Sequence, residues 1–180
     1  MNLAQIADEV SKEIVFGKVI SNNPTVIVLA GLQYSGKSYL ANNITDKNYS
    51  HFWATNIKKK YGIKNPEMIE VAKLVISSVV SEGFNLVIDF VNHKYDIRKQ
   101  FQDTANRLDV GYKVVFIDTP KEVRLERREK NVLVGDQPGR RVISLDQMNE
   151  FENEFEIPNE NENVIILRSQ DDIDLFLETL

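Results

Sequence analysis

The chain has 180 residues, of which 42% are hydrophobic and 27% are charged, and its formal net charge is −5. This length and balance predict one soluble globular domain spanning residues 1–180, and the acidic charge disfavours extended nucleic acid as a partner. We expect no membrane span, because no apolar run reaches about 18 residues, and no secretory signal, because acids interrupt the first apolar stretch. The absence of cysteine excludes disulfides and thiolate metal sites. These features together predict a cytoplasmic protein.

Apolar residues near the start of the chain recur at intervals of three and four. They are Leu3, Ile6, Ala7, Val10 and Ile14. Because such spacing gives a helix one apolar face, we expect residues 1–23 to form a helical N-terminal extension. This helix would pack on the rest of the domain. A contact between two copies of the chain, giving a homodimer, is the alternative.

Short apolar runs rich in Val and Ile predict the strands. They are Thr25–Ala30, 84–90, 112–117 and Val164–Leu167, with a weaker aromatic run at 49–54. Such unbroken runs are typical of parallel strands covered on both faces. Helical patterns between them extend over residues 67–82 and 94–109. Strands that alternate with helices predict an α/β fold with a parallel sheet in a three-layer sandwich.

A glycine-rich segment directly follows the first apolar run. Residues 31–38 read Gly-Leu-Gln-Tyr-Ser-Gly-Lys-Ser and satisfy G-x-x-x-x-G-K-[ST], between a predicted strand and a predicted helix. Glycine lets phosphate oxygens approach the backbone, whose N–H groups form an anion-binding nest at the helix start. The segment therefore predicts a P-loop that binds a nucleoside triphosphate. The nucleotide-binding residues would be Gly31, Leu32, Gln33, Tyr34, Ser35, Gly36, Lys37, Ser38 and Tyr39.

Three polar side chains are expected to act on the phosphates and a metal ion. Lys37 would place its charge at the β- and γ-phosphates, and Ser38 would offer its hydroxyl to Mg²⁺, which prefers oxygen ligands. Asp89 closes the apolar run 84–90 and would lie at the sheet edge where ligands bind. We therefore predict Ser38 and Asp89 as metal ligands and Lys37 and Asp89 as catalytic residues. Asn92 and His93 follow in the same loop and are candidates for the acceptor side.

Four features in order resemble the P-loop kinases of the polynucleotide-kinase-like group, within the wider nucleoside-kinase-like family. They are the loop 31–38; Leu86-Val-Ile-Asp89 with Asn92; residues 111–120 with Glu122-Val-x-Leu-Glu-Arg127; and Phe155-Glu156-x-Pro158. The resemblance covers about residues 25–167. It implies a five-stranded sheet of order 2-3-1-4-5 with a helical lid at about residues 121–145. It also implies transfer of the γ-phosphoryl group of ATP to a hydroxyl of a nucleotide, nucleoside, sugar or other small alcohol.

The resemblance places a catalytic lid arginine at Arg127. A guanidinium there would neutralise charge on the transferring phosphoryl group. The second lid arginine of the family would fall near Asn131, which is not basic. Further lid candidates are Arg128, Arg140 and Arg141. Solvated helix faces are the alternative interpretation of this basic segment.

One carboxylate of the family pattern is absent. Members carry Asp-x-x-Arg after the second strand, whereas this chain has Thr55-Asn-Ile-Lys58 and no acid in residues 47–66. Transfer through a loose transition state can proceed without this base, or Asp89 or His93 can replace it. The alternative is a nucleotide-binding regulatory protein or an inactive kinase homologue. Thr55 and Lys58 complete the candidates for the acceptor side.

Overall fold

The computed structural model describes residues 2–135 and 142–180. The strands are β1 Thr25–Ala30, β2 Tyr49–Trp53, β3 Asn85–Asp89, β4 Gly111–Ile117 and β5 Val164–Leu167. The helices are α1 Leu3–Ile14, α2 Lys37–Thr45, α3 Ala54–Tyr61, α4 Asn65–Ser81, α5 Tyr95–Arg107, α6 Lys121–Val134, α7 Leu145–Glu154 and α8 Gln170–Glu178, with a 3₁₀ turn at Glu160–Glu162. Within these two ranges, no helix is both long and apolar enough to cross a bilayer.

The five strands form one sheet in the order β2-β3-β1-β4-β5, and every pairing is parallel. This confirms the predicted α/β class, the parallel sheet and the strand order. Val28 of the central strand is in register with Ile88 on one side and Val114 on the other. The carboxyl ends of β1, β3 and β4 therefore meet at one edge, where open parallel sheets bind their ligands.

Helices cover both faces of the sheet. Val26 and Val28 of β1 belong to the apolar cluster that contains α1, α4 and α5. Ile27 and Leu29 belong to the cluster that contains α2 and α8. Because successive strand residues point to opposite faces, a run with both sets buried must lie between two helical layers. The three-layer arrangement is confirmed.

The N-terminal helix α1 packs inside this domain. Its residues Ile6 and Val10 are buried against α4. Two side chains on its exposed side reach α3: Glu9 accepts a hydrogen bond from the Tyr61 hydroxyl at 3.0 Å, and Glu13 pairs with Lys60 at 2.7 Å. The helix is thus part of the core and also borders the segment that follows β2.

The helix α3 is the main local difference from the sequence prediction. The apolar run 49–54 stays a strand only to Trp53, and Ala54 begins the helix. The helix has eight residues, buries only Ala54 and Ile57, and ends at Gly62 in a left-handed conformation. Two buried positions are too few to give a helical stripe that can be seen in the sequence.

A fully buried ion pair joins α5 to the turn before β5. The side chain of Arg98 places Nε 2.5 Å and Nη2 3.1 Å from the carboxylate of Glu162, and its Nη1 donates to the carbonyl of Asn92 at 3.0 Å. Both residues are 1% exposed. Since Asn92 follows β3, this guanidinium connects the loop at the carboxyl end of β3 to the start of the edge strand β5.

Removing one partner of this pair is predicted to destabilise the fold strongly. Glu162→Ala leaves a buried guanidinium without its counter-charge, so the free energy of unfolding should fall by about 3–5 kcal/mol. Urea denaturation of the variant measures the loss. Asp8→Ala, which breaks the exposed Lys12 pair, is the control and should cost at most about 1 kcal/mol. Equal losses in the two variants would contradict the role given to Arg98.

Candidate active site

The P-loop connects the end of β1 to the first turn of α2. A Cβ atom at Gly31 would lie 2.8 Å from the hydroxyl of Ser35 and 2.9 Å from the carbonyl of Ile117 at the end of β4. Gly36 caps α2 with φ 111°, a conformation that favours glycine. Both glycines of the motif are therefore required by the backbone. They allow the loop to close tightly at the carboxyl edge of the sheet.

The ammonium of Lys37 lies across the beginning of the loop. Its Nζ donates to the carbonyls of Gly31 at 2.7 Å and Leu32 at 3.0 Å. Burial lowers the pKa of Lys37 to about 8; the carboxylate of Asp89 opposes this change and the guanidinium of Arg124 adds to it. The charge on this lysine is poorly compensated by the protein, so an anion in the loop would be strongly favoured.

Ser38 and Asp89 meet where α2 and β3 converge. The Ser38 hydroxyl donates to Asp89 Oδ2 at 3.3 Å, and Asp89 is 8% exposed. A hydroxyl beside a carboxylate, both at the edge of the nest, is the oxygen donor set that Mg²⁺ takes when phosphates and water complete its coordination. The two predicted metal ligands are thus adjacent in the structure.

His51 also lies beside Asp89, and no pattern in the sequence selected it. Its Nε2 is 3.7 Å from Asp89 Oδ2 and has no hydrogen-bond partner among the residues that the structure describes. The imidazole also stacks with Trp53, with ring centroids 6.3 Å apart. Trp53 is in register with Asp89, so the pairing of β2 with β3 brings these groups together. That register depends on tertiary structure, and no local pattern indicates it.

Arg127 lies directly on the P-loop. Its Nη1 donates to the carbonyls of Tyr34 at 3.0 Å and Ser35 at 2.8 Å. Thr119, in the turn before α6, donates its hydroxyl to the same Ser35 carbonyl at 2.8 Å. The turn and the helix are therefore fixed to the loop. They present a guanidinium beside the nest, at the position given to the lid arginine.

The other lid candidates are placed differently. The guanidinium of Arg128 donates through Nε to the carbonyl of Ile143 at 2.7 Å, and the Ile143 N–H donates to the Tyr34 hydroxyl at 3.0 Å. Arg128 thus holds the returning chain and makes no hydrogen bond to the P-loop. Arg140 and Arg141 lie outside the described residues.

A buried arginine that the sequence did not single out supports this region. Arg124 is 2% exposed and donates to the Thr119 carbonyl at 3.3 Å and to Glu152 of α7 at 3.2 Å. Lys121 also pairs with Glu152 at 3.0 Å. These contacts join the turn after β4 to α7. A charged residue on a predicted helix is usually exposed, so its role could not be read from the sequence.

Asn92 and His93 have different surroundings although they are adjacent. Asn92 is fully buried, and its amide donates to the carbonyl of Leu29 at 2.8 Å, which ties the loop after β3 to β1. The His93 ring lies 4.9 Å from the ring of Phe151, with its Nε2 3.7 Å from Glu154. Burial is the main cause that lowers the pKa of His93, so the neutral imidazole is favoured.

Thr55 and Lys58 lie on α3. Thr55 is exposed in the first turn. Lys58 donates to the side chain of Asn65 and lies 5.4 Å from the centroid of the Phe90 ring. Burial lowers the pKa of Lys58. The position of the missing family carboxylate is therefore occupied by an exposed hydroxyl, and the lysine is held against the residue after Asp89.

His93 is predicted to make stability depend on pH. Its folded-state pKa is below that of the unfolded chain because burial disfavours the charged ring, so the unfolded state takes up the proton first. The free energy of unfolding should therefore fall as the pH decreases below about 6.5. Urea denaturation between pH 7.5 and pH 5 measures this slope. His93→Gln should have a shallower slope; an unchanged slope would show that other groups cause it.

Comparisons with known proteins indicate the fold. The chain matches no protein-family model and no curated protein. Among solved structures it is similar to Chaetomium thermophilum Kti12 in complex with ADP-AlF3, with a TM-score of 0.63, 14% identity, and coverage of 86% of this chain and 96% of that one. It is also similar to Mycobacterium tuberculosis APS kinase CysC in complex with AMPPNP and APS, with a TM-score of 0.60, 17% identity, and coverage of 87% and 95%.

A third similar structure is a gluconokinase from Sinorhizobium meliloti 1021, with a TM-score of 0.58, 16% identity, and coverage of 87% of this chain and 95% of that one. At these identities the similarity concerns the fold. Two of these three structures are kinases by name. The chain therefore shares the fold of these structures, with a five-stranded parallel sheet of order 2-3-1-4-5.

Proposed function

We propose that this protein is an ATP-dependent phosphotransferase that moves the γ-phosphoryl group to a hydroxyl of a small acceptor. The observation that carries the proposal is the convergence at one sheet edge of a phosphate nest, the Ser38–Asp89 pair and the Arg127 guanidinium. Phosphoryl transfer needs little covalent chemistry from the protein, because positioning and neutralisation of charge account for most of catalysis. These three groups supply both.

The donor would be ATP with Mg²⁺. The ion would be held by Ser38 and Asp89 and would neutralise charge on the β- and γ-phosphate oxygens. Lys37 would exchange its bonds to the loop carbonyls for the phosphates, and the exchange relieves the unfavourable burial of its charge. Two similar structures were solved with ADP-AlF3 and AMPPNP. These ligands support an adenine nucleotide as the donor.

The acceptor hydroxyl must lie close to a group that can accept its proton, and the candidates are His93 and Asp89. The neutral imidazole of His93 can accept a proton, and Asp89 is a carboxylate that contacts Ser38 of the P-loop. Either group could replace the carboxylate that is missing at Thr55. Small alcohols fit this arrangement better than a nucleic-acid strand, since α7 adds a carboxylate, Glu154, beside His93. A cytoplasmic location follows from the need for ATP.

The missing carboxylate also supports a second candidate function. Because Thr55 stands where related kinases carry an acid, the chain could bind ATP and Mg²⁺ as a regulatory protein without transferring phosphate. The two functions differ in their products: a kinase forms a phosphorylated acceptor, whereas a regulatory protein only binds or slowly hydrolyses the nucleotide.

Radiolabelled ATP separates these functions. Incubation of the full chain with Mg²⁺, γ-labelled ATP and a panel of sugars, nucleosides and amino alcohols should label one acceptor class. Lys37→Ala removes the charge in the nest and should abolish both nucleotide binding, measured by calorimetry, and labelling. Binding without any labelled acceptor would favour the regulatory function. Undiminished binding by the variant would contradict the assignment of the site.

Arg127 is predicted to act mainly on the rate of transfer. Arg127→Ala removes a guanidinium beside the transferring group, so kcat should fall by about 100- to 1000-fold, while the Kd for ATP changes less. Steady-state kinetics and calorimetry measure the two effects. Arg128→Ala is the matched control, because its neighbouring guanidinium bonds Ile143 and not the loop. A fall in kcat of similar size in both variants would argue against a direct role for Arg127.

A further inference from the structure

His51 is a polar side chain beside the candidate metal site that the proposed mechanism does not use. It lies in β2 in register with Val87 of β3, and Trp53, two residues later, is in register with Asp89. Because side chains alternate along a strand and register partners share a face of the sheet, His51, Trp53 and Asp89 lie on the same face. The imidazole therefore stands one pleat before the carboxylate, on the adjacent strand.

The Nε2 atom of His51 is enclosed next to this carboxylate. It is buried 3.7 Å from Asp89 Oδ2, without a hydrogen-bond partner among the described residues, and the side chain is 17% exposed. A neutral imidazole carries its hydrogen on one nitrogen, and the group beside the ring decides which one. A carboxylate oxygen beside Nε2 favours the hydrogen at that atom. The separation exceeds the usual N–H···O range by about 0.5 Å, so a small movement would form the bond.

The carboxylate of Asp89 has capacity for this donor. It is 8% exposed, and the donor that the described residues give it is the Ser38 hydroxyl at 3.3 Å, a long bond for two oxygens. A carboxylate can accept about four hydrogen bonds, so Asp89 can take a second donor and still bind an ion. The carboxylate ligands of metal sites are usually held by such outer donors, which orient the oxygens toward the ion.

The surroundings of His51 fix its ring and leave room for a small shift. The imidazole stacks with Trp53, with ring centroids 6.3 Å and planes 17° apart. The two rings also line a cavity of about 130 Å³, whose other lining residues belong to α1 and α3. A close-packed interior would resist any displacement, whereas this free space lets the ring move by the small distance that a bond to Asp89 requires.

We propose that His51 is a positioning residue of the metal site, whose Nε2–H donates to Asp89 and directs the carboxylate toward Mg²⁺. The inference rests on the metal site of the proposed function and adds a residue that acts through Asp89. With Ser38 donating to the same oxygen, two donors fix the carboxylate. His51 therefore sets how tightly the metal–nucleotide complex is held.

Two substitutions of similar size separate the hydrogen bond from the packing. His51→Gln keeps an N–H donor at the end of an unbranched side chain, whereas His51→Met has a similar length and no N–H. Calorimetry measures the Kd of the full chain for AMPPNP, once with Mg²⁺ and once with EDTA. With Mg²⁺, the Kd should rise by about 10- to 100-fold in His51→Met, the usual effect of losing an outer partner of a metal ligand. His51→Gln should keep most of the affinity, and the Kd with EDTA should be the same in all three proteins.

NMR gives a second test that needs no substitution at His51. The chain has two histidines, so His93→Gln assigns the imidazole nitrogens of His51. With Mg²⁺ and AMPPNP, the hydrogen should be on Nε2 and its resonance should move downfield, because a bond to a carboxylate is short and strong. A hydrogen on Nδ1 under these conditions would overturn the inference.

The outcomes separate the inference from the function on which it rests. An unchanged Mg²⁺ dependence in His51→Met would overturn the role of His51 and leave the kinase standing. Equal losses in the Gln and Met variants, or an equal loss with EDTA, would show a packing effect and also overturn it. A parent chain that binds AMPPNP equally with Mg²⁺ and EDTA would overturn the metal site and His51 with it. Because AMPPNP is not transferred, the expected Mg²⁺ effect without any labelled acceptor would uphold His51 and refute the kinase.

Discussion

The backbone at Gly31 passes so close to the end of β4 that a side chain cannot be placed there. The carbonyl of Ile117 and the hydroxyl of Ser35 would lie only 2.9 Å and 2.8 Å from its Cβ atom. This contact fixes the P-loop against two strands at once, because β1 leads into it and β4 supports it from the side. The orientation of the loop amides at the carboxyl edge follows from this absence of a side chain.

Hydrogen bonds to the P-loop position the remaining parts of the site. The carbonyl of Ser35 accepts hydrogen bonds from both Thr119 and Arg127, so the turn after β4 and the helix α6 share one anchor in the loop. Arg124 extends the connection from Thr119 to Glu152 of α7. The loop, α6 and α7 are thus parts of one connected structure. Polar networks of this kind restrict the geometry more than they add to stability.

The sequence predicted most of the fold, and it also selected Ser38, Asp89 and Arg127, which lie at or beside the P-loop in the structure. Buried parallel strands and the P-loop have strong local patterns, because burial on both faces and tight phosphate turns each restrict residue choice. By contrast, α3 buries only two residues, so its sequence shows no apolar stripe of the kind that predicts a helix. His51 and Arg124 were missed because their positions depend on strand register and helix packing, which are set by distant parts of the chain. Asn92 was predicted as an acceptor-side candidate, and its side-chain amide donates to the carbonyl of Leu29 in β1.

The packing of α1 on the domain affects local unfolding of α3, the helix that follows β2. An eight-residue helix with two buried side chains is only marginally stable by itself in water. The bonds from Glu9 and Glu13 tie α3 to a helix that is itself part of the main core. These contacts are exposed and each contributes little to stability, so the α3 amides should exchange with solvent before those of the first helix.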